Sequence, residues 1–168
     1  MSARKLAGYA ALGWIPQALG YVFAPNALAV VAEPFGATVG LGPWSVAGVP
    51  FVVAGAFMIV WAVVSHYRDS PDELQLSLPD YLSTRGAYAV SRNPLYLGGA
   101  LLWAGWAIAW LSIAVVAGAV VLFGFFARIG IPYEERQLRR RHGIAYDDYC
   151  RAVPRWISPR GGLRRRSG

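Results

Sequence analysis

Arg92-Asn93-Pro94-Leu95-Tyr96-Leu97-Gly98 opens the stretch that decides the fold. From Asn93 to Ala127 no residue is charged, and directly after come Arg128 and the pair Glu134-Glu135. A membrane helix needs about 20 mostly apolar residues. This tract is therefore too long for one span, and it is also too long for an ordinary loop. Trp110-Leu111-Ser112 near its middle marks a reversal, which makes the tract a tight helical hairpin. Its two ends then return to the same side, with Arg92 at one and Glu134 at the other. A polar ligand can be held where those ends meet.

Two further tracts lack Asp, Glu, Lys and Arg, Leu6–Ala32 and Pro34–Tyr67. With the hairpin they predict four spans, about 6–24, 46–66, 95–109 and 112–131. The expected fold is an all-α polytopic membrane domain of about four transmembrane helices, followed by a helical cap at the cytoplasmic face. Composition agrees: 56% of the 168 residues are hydrophobic and only 15% are charged, against roughly a quarter charged in soluble proteins. That length predicts one domain, 1–168. The first apolar tract exceeds the ~7–15 residues of a signal-peptide core, so it is read as a retained span.

The net charge of +7 is placed asymmetrically. Arg4 and Lys5 precede the first span, Arg68, Arg85 and Arg92 lie between the second and third, and eleven arginines occur from Arg128 onward. The connection between the first two spans holds Glu33 and no Lys or Arg. The positive-inside rule then puts both termini and the 67–93 segment in the cytoplasm of an integral membrane protein. The tail Arg164-Arg165-Arg166 reads as a topology and anionic-lipid signal, so no nucleic-acid partner is expected. Cys150 is the only cysteine, and His66 and His142 are the only histidines. None has metal-ligand spacing, so no metal site is expected.

Local chemistry adds detail. Pro25-Asn26 is expected to end the first span, and the Gly- and Pro-rich segment up to Pro43-Trp44 to form an outer interfacial loop. Ser70-Pro71 has the form of a helix cap. Residues 78–91 read as irregular backbone against the membrane, and Pro94 suits the first turn of a helix. Gly143 reads as a helix stop, followed by a short helix over 145–152. Glu134 shares a helical face with Leu138, and Glu135 with Arg139. Glu134 is accordingly the inward carboxylate candidate and Glu135 half of a solvated pair. Arg92 alone fits either a snorkelling interface residue or a clamp for a carboxylate. Asp147-Asp148 read as solvent-facing, and Cys150 as packed.

Taken in order, Gly86-Ala87-Tyr88, Arg92-Asn93-Pro94-Leu95-Tyr96-Leu97-Gly98, Glu134-Glu135, Leu138, Gly143, Tyr146, Tyr149 and Val153-Pro154-Arg155 resemble the isoprenylcysteine carboxyl methyltransferase family. The phospholipid N-methyltransferases look similar. The resemblance covers about 80–158, which it marks as the cofactor-binding part. It implies a membrane methyltransferase that uses S-adenosylmethionine at the cytoplasmic face and a lipophilic or lipid-anchored acceptor, an isoprenoid or lipid carboxylate or a lipid amine. By position, Leu82, Ser83, Tyr88, Arg92, Asn93, Pro94, Leu95, Tyr96 and Glu134 would contact the cofactor. Arg128 would stand in for the family's substrate arginine, displaced by two residues, since Gly130 lies one turn before Glu134. Many members have His where this chain has Asn93, and an amide does not titrate near neutral pH. The ending Tyr146–Pro154 also resembles membrane sterol reductases that use NADPH, and a non-catalytic lipid-binding bundle is a further alternative. Monomer and homodimer are both open.

Overall fold

The computed structural model describes residues 15–69 and 81–157. Arg4, Lys5, the start of the first expected span, the Ser70-Pro71 cap and the Arg164–Arg166 tail lie outside the described residues. Within them the chain is all-helical. Its helices are α1 (Ile15–Ala32), α2 (Val49–Asp69), α3 (Pro94–Trp110), α4 (Ile113–Phe125), α5 (Ile131–His142) and α6 (Ile144–Ala152). A π-helical turn over Phe126–Gly130 joins α4 to α5. Two continuous stretches, Pro43–Arg68 and Ile113–His142, are long and apolar enough to cross a membrane, and Leu19–Phe35 is a shorter apolar helix.

The reversal falls where the sequence puts it. Leu111 closes α3 in the left-handed region at φ 44°. Ser112 then caps α4 by accepting from the Val115 amide at 3.2 Å. A β-branched or aromatic residue would strain more at such a φ than Leu. Thr38 reaches over from the α1–α2 connection. Its hydroxyl lies 2.7 Å from that of Ser112, and the two residues form an isolated bridge. Ser45 adds a hydrogen bond to the Ala109 carbonyl at 2.7 Å. The loop and the hairpin tip thus tie off one end of the bundle, with the Val39 and Gly40 amides donating to the Leu111 and Trp110 carbonyls at 3.4 and 3.1 Å.

The first helix does not end at Pro25-Asn26; it runs on to Ala32. Pro25 is fully buried, and Asn26 next to it supplies what an interrupted helix needs. The Asn26 amide donates to the Val22 carbonyl at 2.6 Å, and its oxygen accepts from the Trp110 indole at 2.8 Å. Proline inside an apolar helix is tolerated when side chains re-satisfy nearby backbone groups in this way.

α2 and α3 pack backbone to backbone because glycine faces glycine. A Cβ on Gly55 would lie 2.7 Å from the Gly98 carbonyl oxygen, and one on Gly98 would lie 2.9 Å from that of Gly55. No real side-chain carbon fits there, so the small residues set the helix separation. Around this seam Tyr21, Ala29, Leu102, Trp103, Ala107 and Val115 form the apolar core. A second cluster of Tyr146, Tyr149 and Val153, with Leu82, Leu138 and Cys150 against it, builds the cap. It lies at the opposite end from the hairpin tip.

Candidate functional site

Four pieces of chain meet at that end: the last turn of α2, the segment 81–93, the first turn of α3, and the α5–α6 cap. The segment is held by Ser65, whose hydroxyl accepts from the Ala87 amide at 3.1 Å and donates to the Trp61 carbonyl at 2.7 Å. Gly86 makes this contact feasible. It sits at φ 58°, and a Cβ there would run into the Ser65 hydroxyl, so an L side chain is excluded on both counts. Residues 86–89 then form one 3-10 turn before Asn93, which stands at the N-cap position of α3 without a side-chain capping bond.

The pieces enclose a cleft of about 230 Å³, lined by residues from α2 (His66), the segment (Leu82, Ser83, Tyr88), the α3 entrance (Arg92, Asn93, Leu95), α5 (Glu134, Glu135, Leu138) and α6 (Tyr146, Tyr149). Seven of the residues named from the sequence therefore share one wall: Leu82, Ser83, Tyr88, Arg92, Asn93, Leu95 and Glu134. Tyr96 stands one step away and donates to Glu134 at 3.3 Å, its ring tilted against that of Phe126 at 5.0 Å. Pro94 is fully buried in the α3 entrance. Arg128 lies in the π-helical turn, exposed, and is not part of the cleft wall.

The polar groups have distinct states. Glu134 is exposed at the mouth. Glu135 is the sequestered carboxylate, with only 12% of its side chain exposed. It binds Arg155 through both oxygens, at 3.1 and 2.5 Å, and lies 3.3 Å from Arg92. The expected Glu135–Arg139 pair is thus not formed. Arg139 instead binds Asp147 at 2.7 Å. Asp147 and Asp148 do face solvent, the latter paired with Arg151. The Arg92 guanidinium also lies 2.6 Å from the Cys150 sulfur, while its buried Nε has no partner. Asn93 spends its amide on the Arg155 carbonyl at 3.2 Å. Tyr149 donates to the Tyr88 carbonyl at 2.7 Å. Burial raises the phenols of Tyr88 and Tyr149 well above their ordinary range, with the Glu134 charge adding to the effect at Tyr88. Both stay protonated, and Tyr149 stays a donor.

Sequence reasoning missed His66. It lines the cleft, 2.6 Å from the Tyr81 hydroxyl and 3.4 Å from that of Ser83. Its place in the last turn of a span, beside Arg68, was the available signal.

A wall with a carboxylate at its mouth, an arginine donor at its back and aromatic or aliphatic sides suits a ligand that is polar at its ends and flat between. Residues 44–144 match the family model of the phospholipid methyltransferases. Protein-S-isoprenylcysteine O-methyltransferase B of Arabidopsis thaliana is 31% identical over 111 residues, 64% of this chain and 55% of that protein. Probable protein-S-isoprenylcysteine O-methyltransferase of Oryza sativa subsp. indica is 34% identical over 113 residues, 65% of this chain and 58% of the relative. The chain thus spans little more than half the length of these curated relatives. No solved structure matches it. The family match takes in Arg92 through Glu135 and stops before Tyr146, Tyr149 and Arg155.

Proposed function

This chain belongs to the phospholipid methyltransferase family, and on that footing we propose that it is a membrane enzyme transferring a methyl group from S-adenosylmethionine to a lipophilic acceptor. The acceptor is an isoprenoid or lipid carboxylate, or a lipid amine. The observation that carries this reading is the pairing, in one cleft at the entrance of an apolar helix, of the partnerless Arg92 Nε with the exposed carboxylate of Glu134.

The donor set fits the cofactor. Arg92 Nε is a buried donor in want of an acceptor such as a carboxylate. Glu134 accepts from hydroxyl or ammonium groups, and Leu82, Leu95, Leu138 and the Tyr88 ring supply apolar walls for a flat heterocycle. Bound S-adenosylmethionine would supply an electrophilic methyl group on a positively charged sulfur. The chain's own part is alignment and the exclusion of water, which in well-oriented reactions is worth about 7–11 kcal/mol of barrier. A carboxylate acceptor arrives already ionised and needs no base. An amine acceptor must lose a proton, and the His66 imidazole lines the same cleft.

The bundle is read as four spans: α1, Pro43–Arg68, α3 and Ile113–His142, the last continuing out of the bilayer as α5. The arginine-rich end, with the cleft and its α5–α6 cap, faces the cytoplasm. Such a site admits a polar cofactor from water and a lipid from the bilayer. Titration calorimetry on detergent-solubilised protein tests this. S-adenosylhomocysteine is expected to bind and NADPH not; the opposite pattern overturns the assignment in favour of a reductase.

A further inference from the structure

Glu135 lines the cleft, yet its carboxylate is already taken up. One oxygen accepts from Arg155 Nε at 3.1 Å and lies 3.3 Å from Arg92 Nη1; the other accepts from Arg155 Nη2 at 2.5 Å. The same short stretch is held a second way, through its backbone. The Arg92 amide donates to the Pro154 carbonyl at 3.0 Å, and the Ser91 hydroxyl and the Asn93 amide both donate to the Arg155 carbonyl, at 3.1 and 3.2 Å. Residues 153–155 therefore strap the end of α6 to the entrance of α3. Between strap and entrance lie Cys150 and the Arg92 guanidinium, 2.6 Å apart.

We propose that Glu135 and Arg155 form a latch that keeps the α6 cap closed over the cleft and holds Arg92 in its ligand-facing orientation. Glu135 is thus a positioning residue, in contrast to its neighbour Glu134. A carboxylate bound bidentately by one guanidinium and flanked by another has little acceptor capacity left for a ligand. It also fixes the rotamer of each arginine it touches. Arg155 lies beyond the stretch matched by the family model. Opening it would swing Tyr146, Tyr149 and Cys150 away together, because all three ride on α6.

Cys150 is the only cysteine, so its reaction with N-ethylmaleimide reports cap opening without reference to any activity. Arg155→Ala is expected to speed that reaction roughly tenfold or more, the factor set by losing a bidentate charge-assisted pair. Arg155→Lys, which keeps the charge and loses the fork, should fall between it and wild type. Arg151→Ala, which removes an exposed pair on the same helix, should label like wild type. Affinity for S-adenosylhomocysteine should weaken in the same order. This second readout rests on the cofactor reading, and the labelling does not. If wild type fails to bind S-adenosylhomocysteine, the cofactor reading falls while labelling still judges the latch. If Arg155→Ala cannot be recovered folded, Arg155→Lys must still label faster than wild type. Labelling of the folded variants at the wild-type rate overturns the latch.

Discussion

Glu134 and Glu135 are neighbours with different surroundings. Glu134 is exposed and holds one long hydrogen bond from Tyr96, so its loss should leave the fold intact. Glu134→Ala is expected to weaken S-adenosylhomocysteine binding about tenfold or more, as for loss of a charged acceptor, with the helical circular dichroism unchanged. Tyr149→Phe acts differently, leaving the Tyr88 carbonyl without its donor. It should destabilise the cap by about 1–3 kcal/mol, seen as a lower melting temperature in detergent. The step from Glu134 to Leu138 does put both on the cleft lining, but the Glu134 carboxylate is exposed rather than inward, and the sequestered one is Glu135. The fate of Glu135 was not legible. Helical spacing sees only the residue four positions on, Arg139, whereas the true partner stands 20 positions away across the fold. Asn93 shows the same limit. Its amide serves the Arg155 carbonyl, 62 positions distant.

At the scale of elements, the α2–α3 seam is the most exacting contact. Gly55→Leu would drive a side chain into the Gly98 carbonyl and Leu102. Overpacking of this kind costs about 1–3 kcal/mol or more. The variant should melt well below wild type, whereas Val53→Leu, on an exposed face of the same helix, should not. The α3–α4 reversal, the start of α3 at Pro94 and the stop at Gly143 were all legible, because each is decided by local backbone chemistry. The continuation of α1 through Pro25 was not. It depends on Asn26 meeting Trp110, 84 positions away, and no local rule for proline contains that contact. The π-helical turn at Phe126–Gly130 left no mark in the apolar pattern either. It turns Phe126 onto Tyr96 at the cleft's edge, and such turns recur at functional sites.

For the whole molecule, four spans require the hairpin tip and the cap to lie on opposite sides of the bilayer. Single cysteines at Val39→Cys and Arg140→Cys in a Cys150→Ser background test this in sealed inverted vesicles. A membrane-impermeant thiol reagent should label Arg140→Cys and spare Val39→Cys. Equal labelling of both would contradict the topology. The apolar composition made an all-helical fold with helices long and apolar enough to cross a membrane readable from the chain alone. The cleft itself required the packing of the cap on segment 81–93, which no run of residues records. Methyl transfer to a lipophilic acceptor is open to direct measurement. Purified protein is incubated with S-adenosylmethionine radiolabelled in the methyl group and a native lipid extract, and the organic phase is then counted. Label should pass into the lipid phase with wild type and fall close to background with Glu134→Ala; wild-type protein that is folded yet transfers no label into any lipid fraction would contradict the account.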